Sequence, residues 1–559
     1  MEASAVIIPA DQVKGLLRLT YEFLGKAISG PFTIPSGIVA TATPIIQRLF
    51  DTTPQVGVMT TKSIGPIPRA GNREPIMTQY APGCFMNAVG LTNPGAEAAV
   101  EQLSQMIVPE DRFLLTSIFG GSVEEIVAVA RLMAPVSDGL ELNLSCPHAK
   151  GYGMDMGQDA DLVREITAAV KAAVDVPVVP KLTPNVPNIA EIAEAAVAGG
   201  ADALCAINTV GPAYFTSYGS PVLKNKVGGM SGRGILPIAL KCIQDIREVV
   251  DVPIVSCGGM TTIDDVQAFK HAGANIFGIG SALTGMNSTE ISETFAAMQT
   301  ALESGQAACS VPQRPVDMDF TPYTLTGVER VCADIAILKF EGKLAIEAGE
   351  FVYTWIPELG EKPFSALTDD PFALVVINVG EFTSELLELE PGTTVYVRGP
   401  HGNRVAPPDD GRIVAVAGGT GLAAVYQIAR DYGNAEVFLG ARSSDRLYFK
   451  EECAAIASTH IATDDGSEGY HGVVTELLHQ WLSDQPKSDR EKLVFYNCGP
   501  APMVHAAVAV QQQFAKPERI FSAIDYLTKC GVGICGACSA PDGRRLCVDG
   551  PFLATGDGI

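Results

Sequence analysis

Between residues 31 and 283 the chain repeats one unit: a short apolar, β-branched run that closes on polar residues or glycine, followed by a stretch of helical periodicity. The runs are PFTIPSG (31–37), VGVMTTKS (56–63), FLLTSIFG (113–120), LELNLSCP (140–147), VPVVPKL (176–182), ALCAINTV (203–210), VPIVSCGG (252–259) and IFGIGSAL (276–283). Segments such as ADLVREITAAVKAAV and IAEIAEAAVAGGA between them place apolar residues three and four apart, as a helix packed on one face requires. Strands that alternate with helices pair in parallel, and eight such units in about 300 residues predict an α/β fold closed as a (β/α)8 barrel. An open doubly wound sheet is the alternative reading of the same pattern.

The repeat occupies less than half of the 559 residues, so further units follow. Around ESGQAACSVPQRPVDMDF (303–320) the periodicity lapses into small residues and prolines, and alternating runs such as TTVYVRGP come after it. The expected organisation is a barrel over 1–305, a linker over 306–317, a β-rich domain over 318–408, an α/β domain over 409–515 and a glycine- and cysteine-rich segment over 516–559. GRIVAVAGGTGLAAVYQIA, which opens the α/β part, reads as strand, glycine turn and helix. A net charge of −24 repels phosphate backbones and anionic lipid, which argues against nucleic-acid and membrane partners. MEASAVIIPADQVKGLLRL has no basic-then-apolar signal pattern and no apolar run is long enough to span a bilayer, so a cytoplasmic location is expected.

In a barrel of this kind, ligands sit at the C-terminal ends of the strands. The residues closing the runs are Lys62, Asn87, Asn143, Cys146, Lys181, Asn208, Gly258, Gly259 and Gly280. The glycines after the seventh and eighth runs suit an anion held by bare backbone N–H groups, although glycines at strand ends also serve as ordinary turns. Lys181 ends an apolar strand and needs a negative partner: a ligand, a carboxylate, or solvent reached by snorkelling. Cys146 in NLSCPH precedes a proline that stops the strand, so its thiol stands at the mouth. As a general base it acts only as thiolate, and activity should rise on the alkaline side of neutrality.

Of 13 cysteines, four crowd into C-x4-C-x2-C-x8-C: Cys530, Cys535, Cys538 and Cys547. The C-x4-C-x2-C opening resembles the plant-type ferredoxin spacing and points to a [2Fe–2S] cluster, while structural zinc, which favours two separated C-x2-C pairs, is the alternative. The interleaved glycines allow the loop to wrap inorganic sulfide and aim N–H groups at it.

SGIVAT (36–41), TTKSIG (60–65), GNREP (72–76), NAVGLTNPG (87–95), NLSCPH (143–148), KLTPN (181–185), INTVGP (207–212), GGMSGRG (228–234) and CGGM (257–260), in this order, resemble the class 1 dihydroorotate dehydrogenases with a cysteine base. The resemblance implies oxidation of dihydroorotate to orotate in pyrimidine biosynthesis, with hydride leaving C6 for FMN and a proton leaving C5 for Cys146. It assigns FMN to Ser36, Lys62, Ser63, Asn143, Lys181, Ile207, Gly232, Gly258, Gly259, Gly280 and Ser281. It assigns substrate to Lys62, Asn87, Ala88, Val89, Gly90, Leu91, Asn143, Asn208 and Thr209, with backbone N–H groups of the NAVGL turn meeting the carboxylate. His148 and Ser117 depart from it, each standing where asparagine is common in this class.

KPFSAL (362–367), GEFTSEL (380–386), GPHGNRV (399–405), GGTGLAA (418–424), LGARS (439–443) and CGPAPM (498–503) resemble the ferredoxin-reductase family, in which a β-barrel domain holds FAD and an α/β domain holds NAD. That implies FAD on Lys362, Pro363, Phe364, Ser365 and Thr383, and NAD on Gly418, Gly419, Thr420, Gly421, Cys498, Gly499 and Pro500. Lys362 stands where the family has arginine and lacks its fork geometry. Asp464 and Asp465 of TDDGS are either partners for ribose hydroxyls, favouring NAD over NADP, or solvated loop charges. Together the two halves resemble an NAD-linked dihydroorotate dehydrogenase fused to its electron-transfer subunit, passing electrons from FMN through [2Fe–2S] and FAD to NAD+, and expected as a homodimer. The competing expectations are a dihydropyrimidine dehydrogenase, which shares NLSCPH and KLTPN but handles uracil and thymine, and a non-catalytic electron-carrier flavoprotein.

Overall fold

The computed structural model describes residues 21–144, 156–305, 316–524 and 527–555. Eight strands close the barrel: β1 (Phe32–Ile34), β2 (Val58–Thr60), β3 (Phe113–Ile118), β4 (Gly139–Asn143), β5 (Val178–Leu182), β6 (Leu204–Ala206), β7 (Ile254–Cys257) and β8 (Ile276–Gly278). Each pairs in parallel with its sequence neighbour, and β8 returns to β1 through Phe277 opposite Phe32. The eight expected runs are the eight staves, and the open-sheet alternative falls. Helices between them start where polar side chains accept the first free N–H groups: Asp159 before Ala160–Lys171, and capping boxes at Thr262/Asp265 and Asn287/Glu290. A hairpin of Tyr21–Phe23 and Lys26–Ile28 sets Phe23 edge-on against Phe113, the first residue of β3, and plugs the N-terminal end.

At the opposite end a four-stranded antiparallel sheet stands over the mouth. It runs Val210–Tyr214, Val227–Gly232, Cys84–Asn87, Met77–Ala81, and carries Asn87, Ser231 and Gly232 to the cavity. The sequence reading did not foresee it: its strands come from two insertions more than a hundred residues apart, joined only by pairings such as Gly229 opposite Asn87.

The second half opens with a seven-stranded antiparallel sheet in the order Gly360–Phe364, Phe351–Ile356, Thr394–His401, Thr321–Cys332, Ile335–Phe340, Phe372–Ile377, Ala366–Asp369. Its edge strands are consecutive in the chain, separated by Ser365 alone, so the sheet curls until its edges adjoin while the ladder between them stays open. Next comes an α/β sheet in the order Tyr470–His471, Ser458–Thr463, Ala435–Ala441, Arg412–Gly418, Leu493–Cys498, Ile520–Ala523, Leu553–Ala554, parallel except for the last strand. Ile520–Ala523 thus extends this sheet beyond residue 515, where the sequence reading ended it; the run IFSA is too short to betray itself. The cysteine segment is held at both ends by this sheet and reaches across to the barrel between them. Among the described residues no helix is long and apolar enough to cross a membrane.

Candidate active site

A cavity of about 170 Å³ opens at the C-terminal end of the barrel. Every residue assigned to FMN by resemblance lines it, and so does every residue assigned to substrate except Ala88. The β1 loop supplies Ser36, Lys62 and Ser63 follow β2, Asn143 ends β4, and Lys181 is the penultimate residue of β5. Asn208 and Thr209 follow β6, and Gly258, Gly259, Gly280 and Ser281 follow β7 and β8. Gly259 has φ +77°, and a Cβ there would stand 2.5 Å from the Gly232 carbonyl oxygen, so the backbone requires glycine at this rim position whether or not it holds an anion.

The polar floor is a connected set. The Asn143 amide donates to the Ser63 hydroxyl at 2.9 Å, the Asn208 amide donates to Oδ1 of Asn143 at 3.3 Å, and the Ser63 oxygen lies 3.1 Å from Ser36 and 2.9 Å from Ser117. Ser117 is buried and does not line the cavity, so its role is to brace Ser63 from behind. Lys181 finds its carboxylate in Glu141 of β4, 3.7 Å away, with both side chains buried. Burial alone would push the lysine down, but the Glu141 charge and the nearby sulfurs of Cys205 and Cys257 hold it above its ordinary value, so it stays an ammonium. At 3.7 Å the contact is an ion pair and not a hydrogen bond, and Oε1 of Glu141 has no hydrogen-bond partner. The ammonium, at the cavity wall, therefore keeps donor capacity toward an acceptor in the cavity, which fits a flavin pyrimidine edge.

In the loop after Cys84–Asn87, Val89, Gly90 and Leu91 face the cavity. Ala88 does not: it is 1% exposed, and its N–H donates to the Ile76 carbonyl at 2.8 Å, so its donor belongs to the loop's own support. Cys146 and His148 lie outside the described residues.

Across the cavity, Cys530, Ile534 and Cys535 form part of the same wall. The cysteine loop docks between the β1 loop and the turn after β8: Val39 N–H donates to the Ile534 carbonyl (2.7 Å), the Thr41 hydroxyl to that of Cys535 (2.9 Å), and Gly285 N–H to that of Val532 (2.9 Å). Arg545, almost wholly buried, donates to the carbonyls of Gly533 and Met286 and so joins loop to barrel. The sulfurs of Cys538 and Cys547 are 3.4 Å apart. Two thiolates on one tetrahedral ion at ~2.3 Å stand about 3.8 Å apart, so the pair can close on a metal with little movement. N–H groups of Val532 and Cys535 point at Cys530 sulfur (3.5 Å each) and that of Gly533 at Cys547 sulfur (3.2 Å), which suits thiolates and inorganic sulfide. Among the described residues no group of three or more His, Cys, Asp or Glu side chains is gathered as for a single metal ion; the thiols approach pairwise.

Behind the loop lies a second cavity of about 790 Å³, lined by all five residues assigned to FAD and all seven assigned to NAD. Lys362 reaches across to the barrel and donates to Glu74 at 2.9 Å. Burial would push the Glu74 carboxyl up, but that hydrogen bond and the charges of Lys362 and Lys529 hold it below its ordinary value. The lysine in place of arginine thus joins the two halves while also lining the cavity. The Thr383 hydroxyl accepts from Val379 and Gly380 N–H groups and shapes the turn at the cavity edge. Asp464 and Asp465 are exposed and stand outside the cavity lining.

Sequence reasoning missed Cys257 and the cysteine loop as parts of the barrel cavity, and Glu141 as the buried partner of Lys181. Alternation along LELN placed Glu141 in a buried position, a signal available before folding. Nothing local could reveal that residues 530–535 would wall a site built from residues 35–281.

Fold and site define a (β/α)8-barrel oxidoreductase joined to a dinucleotide-binding reductase module. The dihydroorotate dehydrogenase family profile matches residues 18–298 and the oxidoreductase NAD-binding domain profile matches residues 415–509. The chain belongs to the dihydroorotate dehydrogenase family. It is 42% identical over 269 residues to the dihydroorotate dehydrogenase B (NAD(+)) catalytic subunit of Pyrococcus horikoshii, covering 47% of this chain and 86% of that protein. With the Methanocella arvoryzae catalytic subunit it shares 42% over 271 residues, covering 48% of this chain and 87% of the relative. Both matches therefore leave about half of this chain unaccounted for.

Proposed function

We propose that this chain oxidises dihydroorotate to orotate at the barrel mouth and delivers the electrons, within one polypeptide, to NAD+ bound in the second half. The observation that carries this reading is the shared wall: cysteines of the terminal loop line the same cavity as the residues the resemblance assigns to flavin and substrate. When bound, FMN would accept the substrate's two electrons, a [2Fe–2S] cluster on Cys530, Cys535, Cys538 and Cys547 would relay them singly, and FAD would rejoin them for NAD+.

The chain's own residues then have separable tasks. Lys181, kept charged by Glu141, holds an acceptor edge of the flavin, and Asn143, braced by Ser63, fixes the cofactor at the mouth. Asn208 and Thr209 offer amide and hydroxyl groups to the pyrimidine ring. The turn at Val89 to Leu91 presents backbone donors to the substrate carboxylate, with the Lys62 charge beside it. Cys146, on the strength of NLSCPH, takes the C5 proton. The test is anaerobic addition of dihydroorotate to protein loaded with both flavins and iron: bleaching of the flavins supports the reading, whereas bleaching by dihydrouracil alone would favour the pyrimidine-degrading one.

A further inference from the structure

Lys529 stands immediately before the first loop cysteine and is only 7% exposed. Its ammonium reaches three acceptors, all on one barrel loop: the carbonyls of Ala70 and Asn72, at 3.3 Å each, and Oε1 of Glu74 at 3.4 Å. An ammonium has three N–H donors, so the seat is matched in number, and burying it without such partners would be strongly unfavourable.

The loop it grips supports the turn that lines the cavity. Asn72 N–H donates to the Val89 carbonyl and the Asn72 amide donates to the Ala88 carbonyl, both at 2.9 Å. Arg69 and Asn93 exchange backbone bonds of 2.9 and 3.1 Å. The flanking residues face the two cavities, Cys530 the barrel and Thr528 the dinucleotide side. Three consecutive residues thus touch the far cavity, the loop that supports the turn assigned to the substrate anion, and the flavin cavity.

We propose that Lys529 is a positioning residue for that turn, making affinity for the substrate carboxylate depend on the cysteine loop being seated on the barrel. The inference rests on the function proposed above, because it takes the turn at Val89 to Leu91 to be the carboxylate site. Through it the electron-transfer half contributes to substrate recognition without touching substrate.

The experiment is equilibrium titration of the full, loaded chain with orotate, read by perturbation of flavin absorbance, in wild type, Lys529→Met and Lys529→Arg. Lys529→Met is expected to weaken orotate binding at least tenfold with iron and flavin content unchanged, and to raise KM for dihydroorotate while leaving kcat in place. Lys529→Arg, which keeps the charge and donors, should recover part of the loss. Backbone amide exchange across residues 69–76 and 87–93 should accelerate in Lys529→Met. Wild-type orotate affinity in Lys529→Met overturns the proposal, as does a loss of affinity that merely follows loss of iron. If the wild-type chain itself fails to bind orotate, the functional reading is what fails; the exchange comparison then still decides whether Lys529 seats the loop, and unchanged exchange refutes it.

Discussion

Replacing Arg398 by Met tests how the cysteine loop is anchored from below. Arg398 and Glu361 are 1% and 0% exposed in their side chains and meet through two hydrogen bonds of 2.7 Å. The same guanidinium donates to Nε2 of His401 at 3.0 Å and to the Cys530 carbonyl at 3.1 Å, and lies 3.9 Å over the Tyr353 ring. Burial and the adjacent guanidinium push His401 well below its ordinary value, so the ring is neutral and can accept. Burial alone would push Arg398 down, but the Glu361 carboxylate holds it above its ordinary value. Methionine keeps apolar volume but leaves Glu361 buried without a cation, a change that costs about 3–5 kcal/mol. Protonation of Glu361 limits the loss: at about 1.4 kcal/mol per pH unit, carrying a carboxyl from its reference value near ~4.3 to pH ~7 costs about 3.7 kcal/mol. Burial already holds the Glu361 carboxyl above its ordinary value beside Arg398, so part of that cost is present in wild type, and the expected destabilisation is about 2–3 kcal/mol near neutrality, shrinking toward about pH 5. Because a chain of several units has no single unfolding free energy, the assay is local. Amide exchange in the strands Phe351–Ile356 and Thr394–His401 should accelerate by about two orders of magnitude, and adding Glu361→Leu should restore much of the protection. Exchange within threefold of wild type in Arg398→Met would refute the reasoning.

Three further outcomes follow from single contacts. Glu74 is held below its ordinary value of 4.5, so it contributes stability present above that value and lost as pH falls through its lowered folded value. The difference in local amide-exchange protection across residues 69–76 between wild type and Glu74→Gln should be full near neutrality and narrow as pH falls below about 4.5, and a difference that persists in strong acid would contradict the assignment. Gly536 has φ +66°, and a Cβ there would stand 1.6 Å from the Thr41 hydroxyl oxygen. Gly536→Ala should lift the loop from the barrel and lower iron content at least severalfold, which elemental analysis would check. Cys146→Ser should retain FMN and lose at least a hundredfold in dihydroorotate turnover; unchanged turnover would remove that cysteine from the chemistry.

The barrel was legible because parallel strands are buried on both faces and announce themselves as short apolar runs, and because the fold then forces polar residues at the run ends together. Lys62, Asn143, Lys181 and Asn208 meet at one cavity for that reason. What escaped was set by contacts between distant parts of the chain. Thr41 and Cys535 meet across 494 positions, and Lys362 and Glu74 across 288, through single side chains that leave no periodic trace. Lys362 is instructive: it lines the cavity its motif pointed to, and its contact with Glu74 also joins the halves. Ala88 follows the same logic, since a turn that offers donors to a ligand must use some of its own groups to hold its shape.

The most direct test of the central claim is an anaerobic single-turnover experiment in which loaded, full-length protein is mixed with dihydroorotate in the presence of NAD+. The account predicts NADH and orotate in equal amounts, with iron reduction appearing between flavin reduction and NADH formation. Orotate formed with no NADH, in protein that carries its full complement of iron and both flavins, would contradict it.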